Sequence, residues 1–378
     1  MTKIEAKIID YTVDKRGNEN VSYLVTFPRI ILAEVNTHRM GSKNTSSSRA
    51  IPARKMHEVI DTTPFIPIAW QKEHTGMQGS EYFTNKHDIK NIETIWLSAR
   101  DAMIEHAKSL NTFGVTKQLT NRLLEPFMWV TMVFTSSRSG LNNMFELRCP
   151  RYKDEEGNLH KSKEDFMSES QIKDNAEDFN LLDWLNINEG DAEIHIAELA
   201  ECMYDAINEA KPRVLSPGEW HIPFHNEITT KAVNSYLDVK GIKWSQEAFD
   251  EVRYKVATSL CARTSYTVVG SDRGIDIERL IQLYDRLISQ DPPHSSPLEH
   301  CGRAMTDLEY FSSVKGFIRT AQDEDGIYHM ELPTIITEQG QHLWGTSWIG
   351  DNPENGDNYG WSRNLKGLKQ LREIVEGY

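Results

Sequence analysis

Val21, Tyr23, Val25 and Phe27 are apolar in alternation with smaller or more polar neighbours. That period of two is the mark of a half-buried strand, and residues from Lys3 to Leu32 read as strands. The GNEN run from Gly17 to Asn20 predicts a turn between them, hence a hairpin. A helical period follows. Ile92, Ile95, Trp96, Ala99, Met103, Ala107 and Leu110 share one face, and Gly114 stands where a helix stop is expected. GVTKQLTNRLLEP predicts a short helix with Leu119 and Leu123 apolar, ended by Pro126. Met128 to Ser137, β-branched and aromatic, predicts a strand; Ser139 to Arg148 predicts a helical turn. Further helices are expected over Ala192 to Ala210, within Phe249 to Tyr266, and from Ile277 to Ile288. Thr37 to Pro52, Thr62 to Ser80 and Pro212 to Pro223 read as loop or irregular chain. His294 to His300 reads as a Pro-punctuated loop entering a short helix.

Two regions break the pattern. Residues 150–190 are densely charged and read as a surface insertion. Residues 301–378 form a C-terminal extension of unknown role. Within it Glu338 to Asn358 fits no element, and Trp361 to Ile374 is a final basic amphipathic segment.

Composition narrows the classes. The 378 residues are 39% hydrophobic and 26% charged, as in ordinary globular proteins. A net charge of −14 argues against binding a nucleic acid polymer, which needs a basic face. It leaves room for a small anionic ligand held by a few clustered arginines. Cys149, Cys202, Cys261 and Cys301 show no CxxC spacing, which fits a reducing compartment and supplies no zinc site. The N-terminus has no apolar leader-like run, and no apolar run reaches membrane-spanning length. The expectation is a soluble, cytoplasmic protein.

The chemistry concentrates in THRMGSKNTSSSRAIP, Thr37 to Pro52. His38, Arg39, Lys43 and Arg49 stand among six hydroxyls and Asn44, without apolar periodicity. Such a stretch is either a solvated turn or a cradle for an anion, since guanidinium forks match phosphate and carboxylate oxygens. HSSPLEH has three readings: metal ligands His294, Glu299 and His300; a structural loop with a capping Ser; or a ligand-binding motif. Adjacent Glu and His point two ways, which disfavours the metal.

Order and spacing bring a resemblance. His38-Arg39, seven residues, then Ser47, with Asn44 and Arg49, resembles the signature of the flavin-dependent thymidylate synthases. Thr37, Thr45 and Ala50 replace that family's Arg, Glu and Tyr. HSSPLEH is similar to the family's His-x-Ser/Thr-Pro-x-Glu-His, NRLLEP to Ala-Arg-x-x-Leu-Pro, and NNMFELR to Asn-x-x-x-Leu-Arg. DAEIHIAELA resembles a family helix, with Glu193 for Gln and His195 for Glu, and CARTSY (Cys261 to Tyr266) resembles the segment that opens family members. Here the CARTSY-like and HSSPLEH-like blocks come last, so the chain reads as a circularly permuted member, of phage or bacterial type. Ser137 and Ser139 stand where Asn and Arg are common, and Glu34 where Gln is.

The resemblance implies an α/β (α+β) fold: a twisted, largely antiparallel sheet flanked by helices. It implies one catalytic domain over residues 1–378, in a homotetramer, with FAD, NADPH and methylenetetrahydrofolate, and no metal. The implied reaction transfers and reduces a one-carbon unit at C5 of a deoxypyrimidine monophosphate, dUMP to dTMP. The alternatives are a dUMP or dCMP 5-hydroxymethylase and an inactive nucleotide-binding homologue. By resemblance Arg148 is catalytic; Ser47, Arg49, Arg122 and Arg148 bind the nucleotide; His38, Arg39, Asn143, His294, Ser296 and Glu299 seat the flavin.

Overall fold

The computed structural model describes residues 2–75, 79, 81–169, 179–267, 275–307, 309–310 and 364–377, with the backbone of four short strands between 319 and 343. The chain opens with an antiparallel hairpin, β1 (Glu5–Asp14) and β2 (Glu19–Pro28). Gly17, at φ +83°, makes the turn, a conformation that costs glycine nothing. A short α1 (Leu32–Asn36) leads into β3 (Gly41–Thr45). Next come α2 (Ala53–Thr62) and the long α3 (Lys86–Thr112), whose first amides are capped by the Asn85 side chain. Gly114 follows α3 at φ +81°, as its position predicts. The short α4 (Lys117–Thr120) runs into a 3-10 stretch, Asn121–Phe127. Then β4 (Trp129–Ser137), buried throughout, turns directly into α5 (Arg138–Arg148).

Four small elements follow: β5 (Tyr152–Lys153), β6 (Leu159–His160), α6 (Lys163–Glu169) and α7 (Leu181–Ile187). They gather Tyr152, Phe166 and Trp184 into an apolar cluster of their own. The Tyr152 hydroxyl ties it to Glu201, 3.1 Å away, on α8 (Ile194–Glu209). Beyond α8 lie β7 (Arg213–Leu215), β8 (Trp220–His221), α9 (Thr230–Val239) and α10 (Gln246–Arg263), which ends in a 3-10 turn, Thr264–Tyr266. After α11 (Ile277–Ile288) comes a 3-10 turn, Ser296–His300, and β9 (Gly302–Ala304). Two backbone hairpins pair β10 (Arg319–Gln322) with β11 (Tyr328–Glu331), and β12 (Ile335–Ile336) with β13 (His342–Leu343). The chain closes with β14 (Leu368–Gln370) and α12 (Leu371–Glu376).

The architecture is mixed α and β around a mainly antiparallel five-stranded sheet, in the order β3-β4-β2-β1-β7, with only β1 and β7 parallel. Side-chain alternation gives each face its own layer. Val21, Tyr23, Val25, Phe27, Met132 and Phe134 pack on one side with residues of α2, α3, α5 and α8. Leu24 and Val133 face the other side, against α9, α10 and α11. In β1 the pairing register shifts between Ile8 and Asp10, a bulge beside which Ile9 joins the second layer.

Several elements differ from the sequence pattern. The Thr37–Pro52 stretch contains a strand, because β3 is held by backbone pairing with β4 and needs no apolar alternation. Pro212–Pro223 carries β7 and β8, and α9 rests on only two buried apolar residues, Val233 and Leu237. Ile95 and Leu119 are 70% and 61% exposed, while Leu124 is fully buried. The 3-10 geometry after α4 rotates Leu124 into the core in place of Leu119. Most of Glu338–Asn358 lies outside the described residues; of Trp361–Ile374, residues 364–374 are described and form β14 and the start of α12.

Candidate functional site

Edge strand β3 is the axis of the site, and its two faces carry different chemistry. On one face stand Gly41 and Lys43, above the Phe134 ring. The Lys43 ammonium lies 5.3 Å from that ring and donates to the His38 carbonyl and, at 3.1 Å, to the Gly41 carbonyl. Burial lowers Lys43 to about 8. His38 is buried, and that burial, with Arg148 and Lys43 beside it, lowers its imidazole to about 4. It is therefore neutral near pH 7. Its Nε2 accepts from Arg148 Nε at 3.2 Å, so the ring proton sits on Nδ1. Arg148, the last residue of α5, also points a terminal nitrogen at the Thr37 hydroxyl, 3.5 Å away. Among the described residues no carboxylate pairs with Arg148.

The other face of β3 presents Ser42 and Asn44 to the Ser296–His300 turn. Ser42 Oγ donates to Glu299 at 2.9 Å and accepts from Asn364 at 2.9 Å. The second Glu299 oxygen takes Arg372 at 2.6 Å. Asn44 Oδ1 meets His300 Nε2 at 3.2 Å. From there a chain of buried polar contacts crosses the sheet. His300 Nδ1 meets Thr135 at 2.8 Å, Thr135 meets Ser22 at 2.6 Å, Ser22 meets His221 Nε2 at 2.8 Å, and His221 Nδ1 meets Thr12 at 2.8 Å. Burial lowers both imidazoles to about 3, so both are neutral.

The chain leaving β3 is clamped from both sides. The Ser47 amide donates to the Ser265 carbonyl at 2.8 Å. Asn121 donates to the carbonyls of Ser48 and Ile51 at 2.8 and 2.9 Å, and Lys117 to that of Ala50 at 2.9 Å. Ser48 Oγ reaches Glu125 at 2.5 Å, and Arg29 reaches the same carboxylate at 3.3 Å. Thus the THR…SSSR, NRLLEP, NNMFELR, CARTSY and HSSPLEH stretches, dispersed from Thr37 to His300, meet around one short strand.

The expected site residues fall into two groups. His38, Arg148 and Glu299 are half-buried or buried and hydrogen-bonded. Arg39, Arg49, Arg122 and Asn143 are exposed, and their side chains make no hydrogen bond or ion pair among the described residues. Ser47 is partly buried, and only its backbone is engaged. His294 and Ser296 are exposed and line an open depression with Glu299, Arg372 and Glu376. Glu299 and His300 are engaged by different partners, the His294 ring is exposed, and no group of three or more metal-ligating side chains occurs among the described residues.

Other residues have structural partners. Glu193 caps α8 and contacts His195, which accepts the Ile68 amide at 3.1 Å. Cys149 adjoins Arg148 in sequence, yet burial pushes its thiol up, so it is no thiolate. Arg372 and Asn364 belong to the site although no motif marks them. Only their distant partners, Glu299 and Ser42, give them meaning. Lys43 was visible as a donor, but not its place over Phe134.

A flavin and a pyrimidine ring each present both donors and acceptors. Near Thr37 in the chain, Glu34 Oε2 is buried and finds no hydrogen-bond partner among the described residues. Together with the Arg148 guanidinium, which has no carboxylate partner among the described residues, it offers a ligand one acceptor and one cation, which fits such a ring.

No family model and no curated protein matches the chain. Among solved structures it is similar to the UMP/dUMP methylase PolB from Streptomyces cacaoi bound with 5-bromo-dUMP, at 12% identity and TM-score 0.38, over 55% of this chain and 91% of that one. It is also similar to thymidylate synthase X from Helicobacter pylori with FAD and dUMP, at 16% identity and TM-score 0.26, over 50% and 67%. Likeness at this level says nothing of individual residues. No helix among the described residues is long and apolar enough to cross a membrane.

Proposed function

We propose that the chain is a flavin-dependent enzyme that transfers a one-carbon unit from methylenetetrahydrofolate to C5 of a deoxypyrimidine monophosphate, converting dUMP to dTMP with NADPH as reductant. One observation carries this reading: five stretches that resemble the motifs of one family, in a different chain order, meet around β3. The permuted order has support in the same contacts. His300, which ends the HSSPLEH stretch, is linked through Thr135 to Ser22 near the start of β2. That strand leads into the THR stretch, a proximity that a permuted order of the same motifs would require.

In this reading Arg148 lies against the pyrimidine and stabilises negative charge as it develops on the ring amide. Neutral His38 orients that guanidinium by accepting its Nε–H. The exposed forks of Arg49 and Arg122, with the Ser47 hydroxyl, hold the phosphate. Arg39, Asn143, His294, Ser296 and Glu299 seat FAD, which when bound supplies the hydride-transfer chemistry. Lys43, its ammonium partly desolvated, adds a positive charge beside His38.

The test combines a spectrum with a product. FAD titration of the purified protein should give a bound flavin spectrum, weakened by Asn143→Ala. Incubation with dUMP, methylenetetrahydrofolate, NADPH and FAD should give dTMP by mass. A dominant 5-hydroxymethyl product would replace the methylation reading with a hydroxymethylase. Absence of FAD binding under every preparation would reject both and leave a nucleotide-binding protein.

A further inference from the structure

The stretch that carries Arg122 grips the loop that carries Arg49. Lys117, Asn121 and Glu125 recur at every fourth position through α4 and the 3-10 stretch after it, and all three reach the chain leaving β3. Asn121 is the centre of this contact. It is fully buried, and its two N–H bonds, to the Ser48 and Ile51 carbonyls at 2.8 and 2.9 Å, bracket Arg49. Lys117 adds a bond to the Ala50 carbonyl at 2.9 Å, and Glu125 accepts the Ser48 hydroxyl at 2.5 Å. The chain continues from Asn121 directly into Arg122. One side-chain amide therefore ties together the two main-chain segments from which both guanidiniums project. Its Oδ1 is buried as well and finds no donor among the described residues. A buried oxygen without a donor destabilises a folded chain. An apolar side chain of the same shape would avoid that cost, so the pair of donors is what the amide contributes here. Asn121 also stands where the resembled Ala-Arg-x-x-Leu-Pro motif has Ala, and Ala50 where the first motif has Tyr. The loop has lost a ring and gained an internal tie.

We propose that Asn121 is a positioning residue, which sets the spacing of Arg49 and Arg122 so that both forks meet one phosphate. The proposal rests on the reading of this loop as the nucleotide site. Two parallel N–H···O bonds need a fixed approach, so a fork that starts from the wrong place meets a phosphate with one nitrogen or none. Both arginine side chains are exposed, with many rotamers to freeze on binding. Holding their main chains in advance lowers the entropy that the ligand must remove. Both Asn121 donors are already engaged, so the residue acts only through the two arginines.

The test is a double-mutant cycle read by calorimetric titration of the full chain with dUMP. Asn121→Leu keeps the shape of the side chain and removes both donors. It should weaken dUMP binding by about tenfold. The same change made in an Arg49→Gln chain should weaken it far less, because the fork that the amide positions is already gone. Equal losses in the two backgrounds would make Asn121 a structural residue and overturn the proposal, as would native affinity in Asn121→Leu. If Asn121→Leu does not fold, Asn121→Ala, the residue of the resembled motif, takes its place in the same cycle. Limited trypsin digestion reads the loop without any ligand. Cleavage after Arg49 should be faster in Asn121→Leu than in the native chain, while cleavage after Arg151, exposed in the 150–190 insertion, stays the same. A native chain that binds no dUMP overturns the nucleotide reading. Unchanged cleavage after Arg49 in a chain that does bind dUMP overturns this proposal alone.

Discussion

Arg148 and His38 form a pair in which the imidazole is the acceptor. That only works while His38 is neutral, and burial with two nearby cations keeps it so down to about pH 4. Arg148→Lys keeps the charge but loses the planar fork and the Nε donor. We expect turnover to drop by roughly 10²-fold or more, as when a single transition-state donor is removed. The melting temperature should stay close to native. A collapse in stability with normal activity per folded molecule would make the residue structural. His300 tests the polar seam behind the site. Its folded value, about 3, lies below the ordinary 6.5 of an unfolded imidazole. The unfolded chain therefore takes up a proton first, and the native state loses stability as pH falls from about 6.5 toward 3. Raised acids such as Asp205 run in the opposite direction, so the comparison must be with a variant. The stability gap between native and His300→Gln protein, from urea unfolding, should narrow by about 1.4 kcal/mol per pH unit below 6.5. A constant gap from pH 7 to 4 would contradict the neutral, buried assignment.

β3 shows what a pattern of side chains can and cannot disclose. The alternation of β2 and the β-branched run of β4 were legible because each buries an apolar face. β3 was not, because Ser42, Lys43 and Asn44 are polar on both faces and its pairing is purely backbone. The motifs around it were legible as motifs; their meeting was not, since each contact joins residues far apart in sequence. Arg372 shows locally only an i, i+4 pairing with Glu376, whereas the contact that brings it to the site, Glu299, lies 73 positions upstream. The strand also has a tight spot. A methyl group on Gly41 would come within 2.4 Å of the Phe134 ring, which is itself buried and carries Lys43 above it. Gly41→Ala should cost about 1–3 kcal/mol in urea unfolding, the range for overpacking a closed site. Turnover should fall with it, because the ring that moves lies beneath Lys43, the cation held on the His38 carbonyl. A variant of native stability would mean that Phe134 yields freely.

At the scale of the whole molecule, two helical layers clasp one sheet, and they are attached differently. The first is continuous with the sheet through α5. The second, α9 to α11, meets it through Leu24, Val133 and the polar seam. The second layer should therefore open as a unit before the sheet does. Native-state hydrogen exchange in mild urea should show the Ser47 amide, held by Ser265, exchanging well before the β2 and β4 amides. Simultaneous exchange of all three would make the fold a single cooperative block. The same arrangement has a consequence during synthesis. Ser42 waits for Glu299, 257 residues later, and Asn44 for His300, 256 residues later. At ribosomal speeds of roughly 5–20 residues per second, that delay is on the order of tens of seconds. Through that interval the nascent chain can hold a folded sheet while half of the polar cluster around β3 has not yet been translated. That cluster closes only once Glu299 and His300 have emerged.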